Sequence, residues 1–186
     1  APEGVPAVVV ENSRKALAEI AANRFGHPAD SMVMLGVTGT NGKTTTTYLI
    51  KHILEQAGHT VGLIGTNQNL IGDEVIETER TTPESYELHA LFARMRDAGC
   101  THVIMEVSSH SLVLDRVHGI RFAVGAFTNL TQDHLDFHKT MEDMLSTLAF
   151  GQAHDLKRSG QDSRPSDAVT LMTLHASKGL EFPVVF

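Results

Sequence analysis

The chain has 186 residues, 41% of them hydrophobic and 20% charged, a balance that suits one domain with a buried core and excludes a disordered polymer. Its formal net charge of −7 argues against a nucleic-acid or acidic-membrane binder driven by bulk electrostatics. A single cysteine, Cys100, excludes an internal disulfide framework and a cysteine-rich zinc site. The charge is uneven: residues 1–143 carry 11 Lys/Arg against 18 Asp/Glu, and 144–186 carry four of each. The run "VPAVVV" is too short to span a membrane, and no basic region precedes it, so neither a membrane segment nor a signal peptide is expected. A monomer in a reducing cytoplasm fits these features. The chain starts on "APEGVP" rather than methionine, which reads as a fragment.

In chain order, "VVV" reads as a short strand, followed by a helix with Leu17, Ile20 and Ala21 on its buried face and Asn12 or Ser13 as N-cap. "GHPADS" breaks it, and "MVMLGV" is a buried strand. A helix over 43–56 follows, with Leu49, Ile50, Ile53 and Leu54 on one side and Gly58 as its stop. "TVGLIGT" is a strand and "IGDEVIETE" a small hairpin. Thr82-Pro83 opens another helix, with Thr82 as N-cap, Leu88, Leu91, Phe92 and Met95 buried, and Gly99 at its end. Cys100 then reads as a buried thiol ahead of the strand "THVIMEV". "SHSLVLDRV" is a short helix and "RFAVGAFT" a further strand. Strands alternating with helices predict an α/β fold, a mostly parallel sheet with helices on both faces. Past residue 150 a polar linker leads to two more predicted strands, "AVTLMTLH" and "FPVVF".

The loop between the second strand and its helix carries the chemistry. "GVTGTNGKTTT" places Gly39 and Gly42 where backbone N–H groups can meet an anion at a helix N-terminus. Lys43 adds a full positive charge for terminal phosphates and Thr44 a hydroxyl for Mg²⁺. The spacing departs from the standard phosphate loop, because Gly39 leaves two residues before Gly-Lys where four are usual.

This stretch resembles the ATP loop of the Mur ligases, whose variant reads G-T-N-G-K-T, and the resemblance extends over about residues 1–143. It implies a P-loop ATPase-like central domain, here truncated, with ATP bound by Gly39, Thr40, Asn41, Gly42, Lys43, Thr44 and Thr45. Glu106 lies at a predicted strand end, where ligands of parallel sheets bind. "MEVSSH" is similar to a motif of the family members that add the third amino acid to the peptidoglycan precursor. That similarity makes Glu106 a Mg²⁺ ligand, with Ser108 and Arg116 as substrate contacts; Leu114 stands where glutamine can occur. "ERTTPES" adds Thr81 and Thr82 as substrate contacts, and "TNLTQDHLD" is similar to the segment in which His134 belongs to a second Mg²⁺ site. Lys43, Glu106 and His134 would then be the catalytic set, and Thr44, Glu106 and His134 the metal ligands. The reaction implied joins an amino acid, lysine or diaminopimelate, to a UDP-MurNAc-dipeptide through an acyl phosphate.

After "HKTMED" the resemblance ends. The family's carbamylated lysine would fall at Leu148, and "AVTLMTLHASKGLEFPVVF" resembles instead a motif of UvrD-type DNA helicases. The domain reading is therefore a remnant of the N-terminal UDP-binding domain and linker over 1–30, an incomplete ATP-binding domain over 31–149, and a helicase-like tail over 150–186. A catalytically silent chain is expected, and a non-catalytic ATP-binding fragment or a DNA helicase fragment are the rival readings.

Overall fold

A computed structural model of the chain describes residues 7–129. The expected first strand is absent: Val8 and Val9 are 88% and 97% exposed and pair with no strand among the described residues. Helix α1 runs Ser13–Arg24, capped by Asn12, whose side chain accepts from the N–H groups of Arg14 and Lys15. A turn of 3₁₀ helix, Pro28–Ser31, leads to β1, Val33–Thr38, and then to α2, Lys43–Gln56. Strands β2 (Val61–Ile64), β3 (Asn69–Ile71) and β4 (Glu74–Ile76) precede α3, Ser85–Asp97. Strand β5 (His102–Glu106), the single turn α4 (Ser109–Val113) and β6 (Val124–Phe127) complete the described elements.

Among the described residues the six strands form one sheet in the order β4-β3-β2-β5-β1-β6. The four strands β2, β5, β1 and β6 run parallel, and the β3–β4 hairpin adds an antiparallel edge. Side chains alternate across each strand. On β5, Val103 and Met105 therefore face α3, whereas Ile104 faces α2. Leu88, Phe92 and Met95 of α3 are fully buried on the first face, each contributing about 1.5–3 kcal/mol by its removal from water. Gly62 lets α3 come close, since a Cβ there would lie 2.6 Å from the Met95 sulfur.

The predicted helical faces need correction. In α1 the buried residues are Ala18 and Ala21, and Leu17 and Ile20 are 43% and 63% exposed. Helix α1 packs across α3, and two alanines permit that close crossing where leucine and isoleucine would hold the helices apart. In α2, Ile50 and Leu54 do pack on the sheet, but they share the buried face with Thr47 and Lys51, while Leu49 and Ile53 are exposed. Helix α3 starts two residues later than expected. Glu84, not Thr82, is its N-cap, and the Glu87 carboxylate accepts from the Glu84 N–H. The predicted stops hold: Gly58 and Gly99 follow α2 and α3 with positive φ, and the next residue's N–H reaches back to Leu54 and Met95 respectively.

Candidate functional site

The parallel strands deliver their carboxyl ends to one edge of the sheet, and a cleft of about 570 Å³ opens there. It is lined by the loop after β1, by Thr66 after β2, by residues 79–82 ahead of α3, and by Glu106, Ser108, His110 and Arg116 around α4. Of the predicted site residues, Thr40, Asn41, Gly42, Lys43, Thr44, Thr81, Thr82, Glu106, Ser108 and Arg116 all border it. Gly39 lies behind the loop, and Thr45 is exposed on the first turn of α2. His134 and Leu148 lie outside the described residues, as do the predicted strands of the tail.

Gly39 has φ +121°, and a Cβ there would lie 2.3 Å from the Thr128 hydroxyl and 2.8 Å from the Asn129 carbonyl. Only glycine fits. The Lys43 ammonium curls over the loop and donates to the carbonyls of Gly39 (2.7 Å) and Thr40 (2.9 Å). The loop's own N–H groups do not all face the cleft as expected. Thr40 N–H donates to the Asn129 carbonyl (2.9 Å) and Asn41 N–H to the Asn129 side-chain oxygen (3.0 Å). The first intrahelical bond of α2 is Thr46 N–H to Gly42 O, so an anion in the cleft would meet the first-turn N–H groups of the helix.

Strand alternation puts Glu106 on the α2 face, below Ile104, where the helix start arrives. The residue is 1% exposed. Its Oε1 accepts from the Thr44 hydroxyl and from the Thr66 N–H, both at 3.0 Å, and Thr66 Oγ1 lies 3.0 Å from Oε2. Gly65 makes room, since a Cβ there would sit 2.5 Å from Oε1. A buried carboxylate facing a threonine hydroxyl at a helix N-terminus is a pair of hard oxygen donors of the kind Mg²⁺ takes. Among the described residues no group of three or more His, Cys, Asp and Glu is close enough to form a metal cage by itself.

Thr82 has a different task from the expected cap. Its buried hydroxyl donates to the Glu106 carbonyl (2.8 Å) and accepts from the Ser108 N–H (3.1 Å), tying the α3 approach to the end of β5. Ser108 caps α4, its hydroxyl accepting from Ser111 N–H. Arg116 donates to the Thr82 carbonyl (3.0 Å) and pairs with Glu84 (2.9 Å), which also meets Arg14 of α1. Thr66, Glu84 and Asn129 were missed in the sequence. The Thr66 position following a "GLIG" strand is a signal that could have found it, because the central parallel strands β1, β2 and β5 all end at the cleft. Cys100 is buried, and burial pushes its thiol pKa up, as expected of a structural cysteine.

A glycine loop, lysine and helix start facing a strand-end carboxylate across parallel strands define an α/β domain of the phosphate-binding kind. Residues 37–149 match the family model of the Mur ligase middle domain, more than half of the chain, and the chain belongs to the Mur ligase family. It is 62% identical over 136 residues to the UDP-N-acetylmuramoyl-L-alanyl-D-glutamate--2,6-diaminopimelate ligase of Clostridium tetani, covering 73% of this chain and 28% of that protein. Over 176 residues it is 47% identical to the enzyme of the same name from Caldanaerobacter subterraneus subsp. tengcongensis, covering 95% and 36%. A solved structure of a ligase of this name superposes with TM-score 0.69 at 29% identity, covering 80% of this chain and 31% of that one. Mycobacterium tuberculosis folylpolyglutamate synthase, solved with ADP and AMPPCP, shares the fold at TM-score 0.58 and 16% identity, covering 72% and 36%. The chain thus spans about a third of the length of these relatives.

Proposed function

We propose that residues 31–149 are the ATP-binding part of a ligase that joins diaminopimelate to a UDP-MurNAc-dipeptide. Residues 1–30 would then be the end of a UDP-binding domain and 150–186 a foreign, helicase-like tail. The observation that carries the reading is the meeting of Lys43, the Thr44 hydroxyl and the buried Glu106 carboxylate at one cleft, with Thr44 Oγ1 3.0 Å from Glu106 Oε1. The names of the related ligases support diaminopimelate over lysine.

In this reading Lys43 swings from the Gly39 and Thr40 carbonyls onto the terminal phosphates of ATP, exchanging two neutral acceptors for charged ones. Thr44 and Glu106 would hold one Mg²⁺ and His134 would belong to a second Mg²⁺ site, and the ions would supply charge stabilisation for the transferring phosphoryl group. Thr81, Ser108 and Arg116 orient the substrate, while Thr82 braces the wall they stand on. The substrate carboxylate takes the terminal phosphoryl group, and the amine of the incoming amino acid displaces phosphate to form the amide. Such catalysis is mostly positioning, a term worth roughly 7–11 kcal/mol. We therefore expect the 186-residue polypeptide by itself to bind Mg·ATP and to hydrolyse it at most slowly, forming no amide.

Titration calorimetry of Mg·ATP against the wild-type chain and Lys43→Ala tests the reading. Binding by the first and its near loss in the second are expected; equal affinities would sink it. Mass spectrometry after incubation with UDP-MurNAc-dipeptide, diaminopimelate and ATP tests the silence of the chain, and a product amide would refute that part.

A further inference from the structure

We infer that Asn129 is the positioning residue of the phosphate loop, a latch that holds residues 39–41 in their nucleotide-ready shape. The inference rests on the reading of that loop as the ATP site. Three successive loop residues are fastened to two residues at the end of β6. Gly39 is backed by the Thr128 hydroxyl and the Asn129 carbonyl, at distances that leave no room for a Cβ. Thr40 N–H donates to the Asn129 carbonyl at 2.9 Å. Asn41 is gripped twice by the Asn129 side chain: Asn41 N–H donates to Oδ1 at 3.0 Å, and Nδ2 donates to the Asn41 carbonyl at 3.0 Å. Thr128 completes the seam, its N–H and hydroxyl both donating to the Thr38 carbonyl, at 3.0 and 3.2 Å.

The double grip on Asn41 needs a side chain that is donor and acceptor in one plane, which the asparagine amide supplies. Asparagine has the reach; aspartate would keep the accepted bond and lose the donated one. The latch acts through the loop and does not face the cleft itself: Asn129 is absent from the cleft lining. Its effect is to fix the Gly39 and Thr40 carbonyls that aim Lys43, and to turn the Thr40 and Asn41 N–H groups away from the cleft. The anion site is thereby left to the start of α2. A loop released from the latch must be ordered again by each incoming nucleotide, and apparent affinity falls by the fraction of chains in the competent shape.

The test uses the full chain in two arms. In the absence of nucleotide, amide hydrogen exchange by NMR should show Asn41 protected in wild type, exposed in Asn129→Ala, and protected again in Asn129→Asp, with the sheet amides of Val103 and Ile104 unchanged throughout. In calorimetry, Asn129→Ala should bind Mg·ATP about tenfold more weakly, as for a loop competent one tenth of the time. An Asn41 amide equally protected in Asn129→Ala, or wild-type affinity in that variant, overturns the latch. Failure of the wild-type chain to bind Mg·ATP at all, or equal binding by Lys43→Ala, overturns the ATP reading instead, and the exchange arm still decides whether the latch exists. Should Asn129→Ala unfold, Asn129→Asp carries the calorimetry, and wild-type affinity there counts against the donated bond.

Discussion

Gly65→Ala is a one-methyl test of the buried carboxylate. The added Cβ would stand 2.5 Å from Glu106 Oε1 and 3.3 Å from its Cδ, while ordinary contact begins near 3.4 Å, so the carboxylate must retreat by about 1 Å. Its Oε1 is held at 3.0 Å by the Thr44 hydroxyl and again at 3.0 Å by the Thr66 N–H. A retreat of that size stretches both beyond hydrogen-bonding range. Each bond to a charged acceptor contributes about 1.5–3 kcal/mol, and water from the open cleft replaces part of it, leaving a net loss of about 2 kcal/mol. For a chain of this size that lowers the unfolding midpoint by roughly 4–8 °C. The same retreat moves a proposed Mg²⁺ ligand, so the gain in ATP affinity on adding Mg²⁺ should shrink in the variant. Gly58→Ala is the control. It carries φ +88° with open space around it and sits at the far end of α2, so alanine there costs about 1 kcal/mol of backbone strain and leaves nucleotide binding alone. Thermal denaturation and calorimetry with and without Mg²⁺ read both variants. A Gly65→Ala chain with wild-type midpoint and an intact Mg²⁺ effect would refute the account of Glu106.

Thr82→Val removes the hydroxyl and keeps the shape, leaving the Glu106 carbonyl and Ser108 N–H short of a partner; a loss of about 2–3 kcal/mol in chemical denaturation is expected, against less than about 1 kcal/mol for Thr82→Ser. Lys51 is buried and ion-paired with Glu55 on the sheet side of α2, so Lys51→Met, which keeps the apolar stem, should change stability by less than about 1 kcal/mol, whereas Lys51→Ala should lose about 2 kcal/mol or more. Burial, and next the neighbouring His27, hold the His89 imidazole below its usual pKa, with Asp30 opposing. The unfolded chain therefore takes up a proton that the folded chain refuses: stability is full above about pH 6.5 and falls as the pH drops below it, by at most about 1.4 kcal/mol per pH unit for this one group. His102, lowered by burial and by His59, adds to the same slope, and His89→Leu should flatten the midpoint-versus-pH curve between pH 7 and 5.

The sequence carried the site further than it carried the core. Lys43, Thr44 and Glu106 follow from the loop motif and strand-end logic, Ser108 and Arg116 from the family resemblance, and they meet at one cleft because β1, β2 and β5 end there. What escaped are the residues whose role depends on a partner far along the chain. Thr82-Pro83 has every local mark of a helix start, yet the Thr82 hydroxyl is drawn to a strand end 24 residues away. Asn129 sits inside the motif "TNLTQDHLD", where attention goes to His134, and its partner Asn41 is 88 residues distant. Local rules weigh a threonine before a proline by what it can cap, and no local rule weighs what crosses the sheet.

The misread face of α2 has a different physical cause from the close alanine crossing that sets the face of α1. Counting apolar residues at helical spacing treats hydrophobicity as a property of the residue type, whereas burial depends on whether the polar atoms of a side chain can be satisfied in place. Thr47 is fully buried because its hydroxyl donates to the Thr44 carbonyl one turn back, at 2.8 Å, so the helix itself removes the penalty. Lys51 is buried because Glu55 lies one turn ahead to take its ammonium, leaving four methylenes to pack as a leucine would. Those two local pairings turn the buried stripe of α2 from 49, 50, 53 and 54 to 47, 50, 51 and 54, about one residue around the helix. That rotation matters for the site. It seats the helix by Thr47 on the sheet one turn beyond Thr44, and so brings the Thr44 hydroxyl down to the Glu106 carboxylate. Had Leu49 and Ile53 faced the sheet, Thr44 would have been carried off that line, and the start of α2 would not meet the strand-end acid.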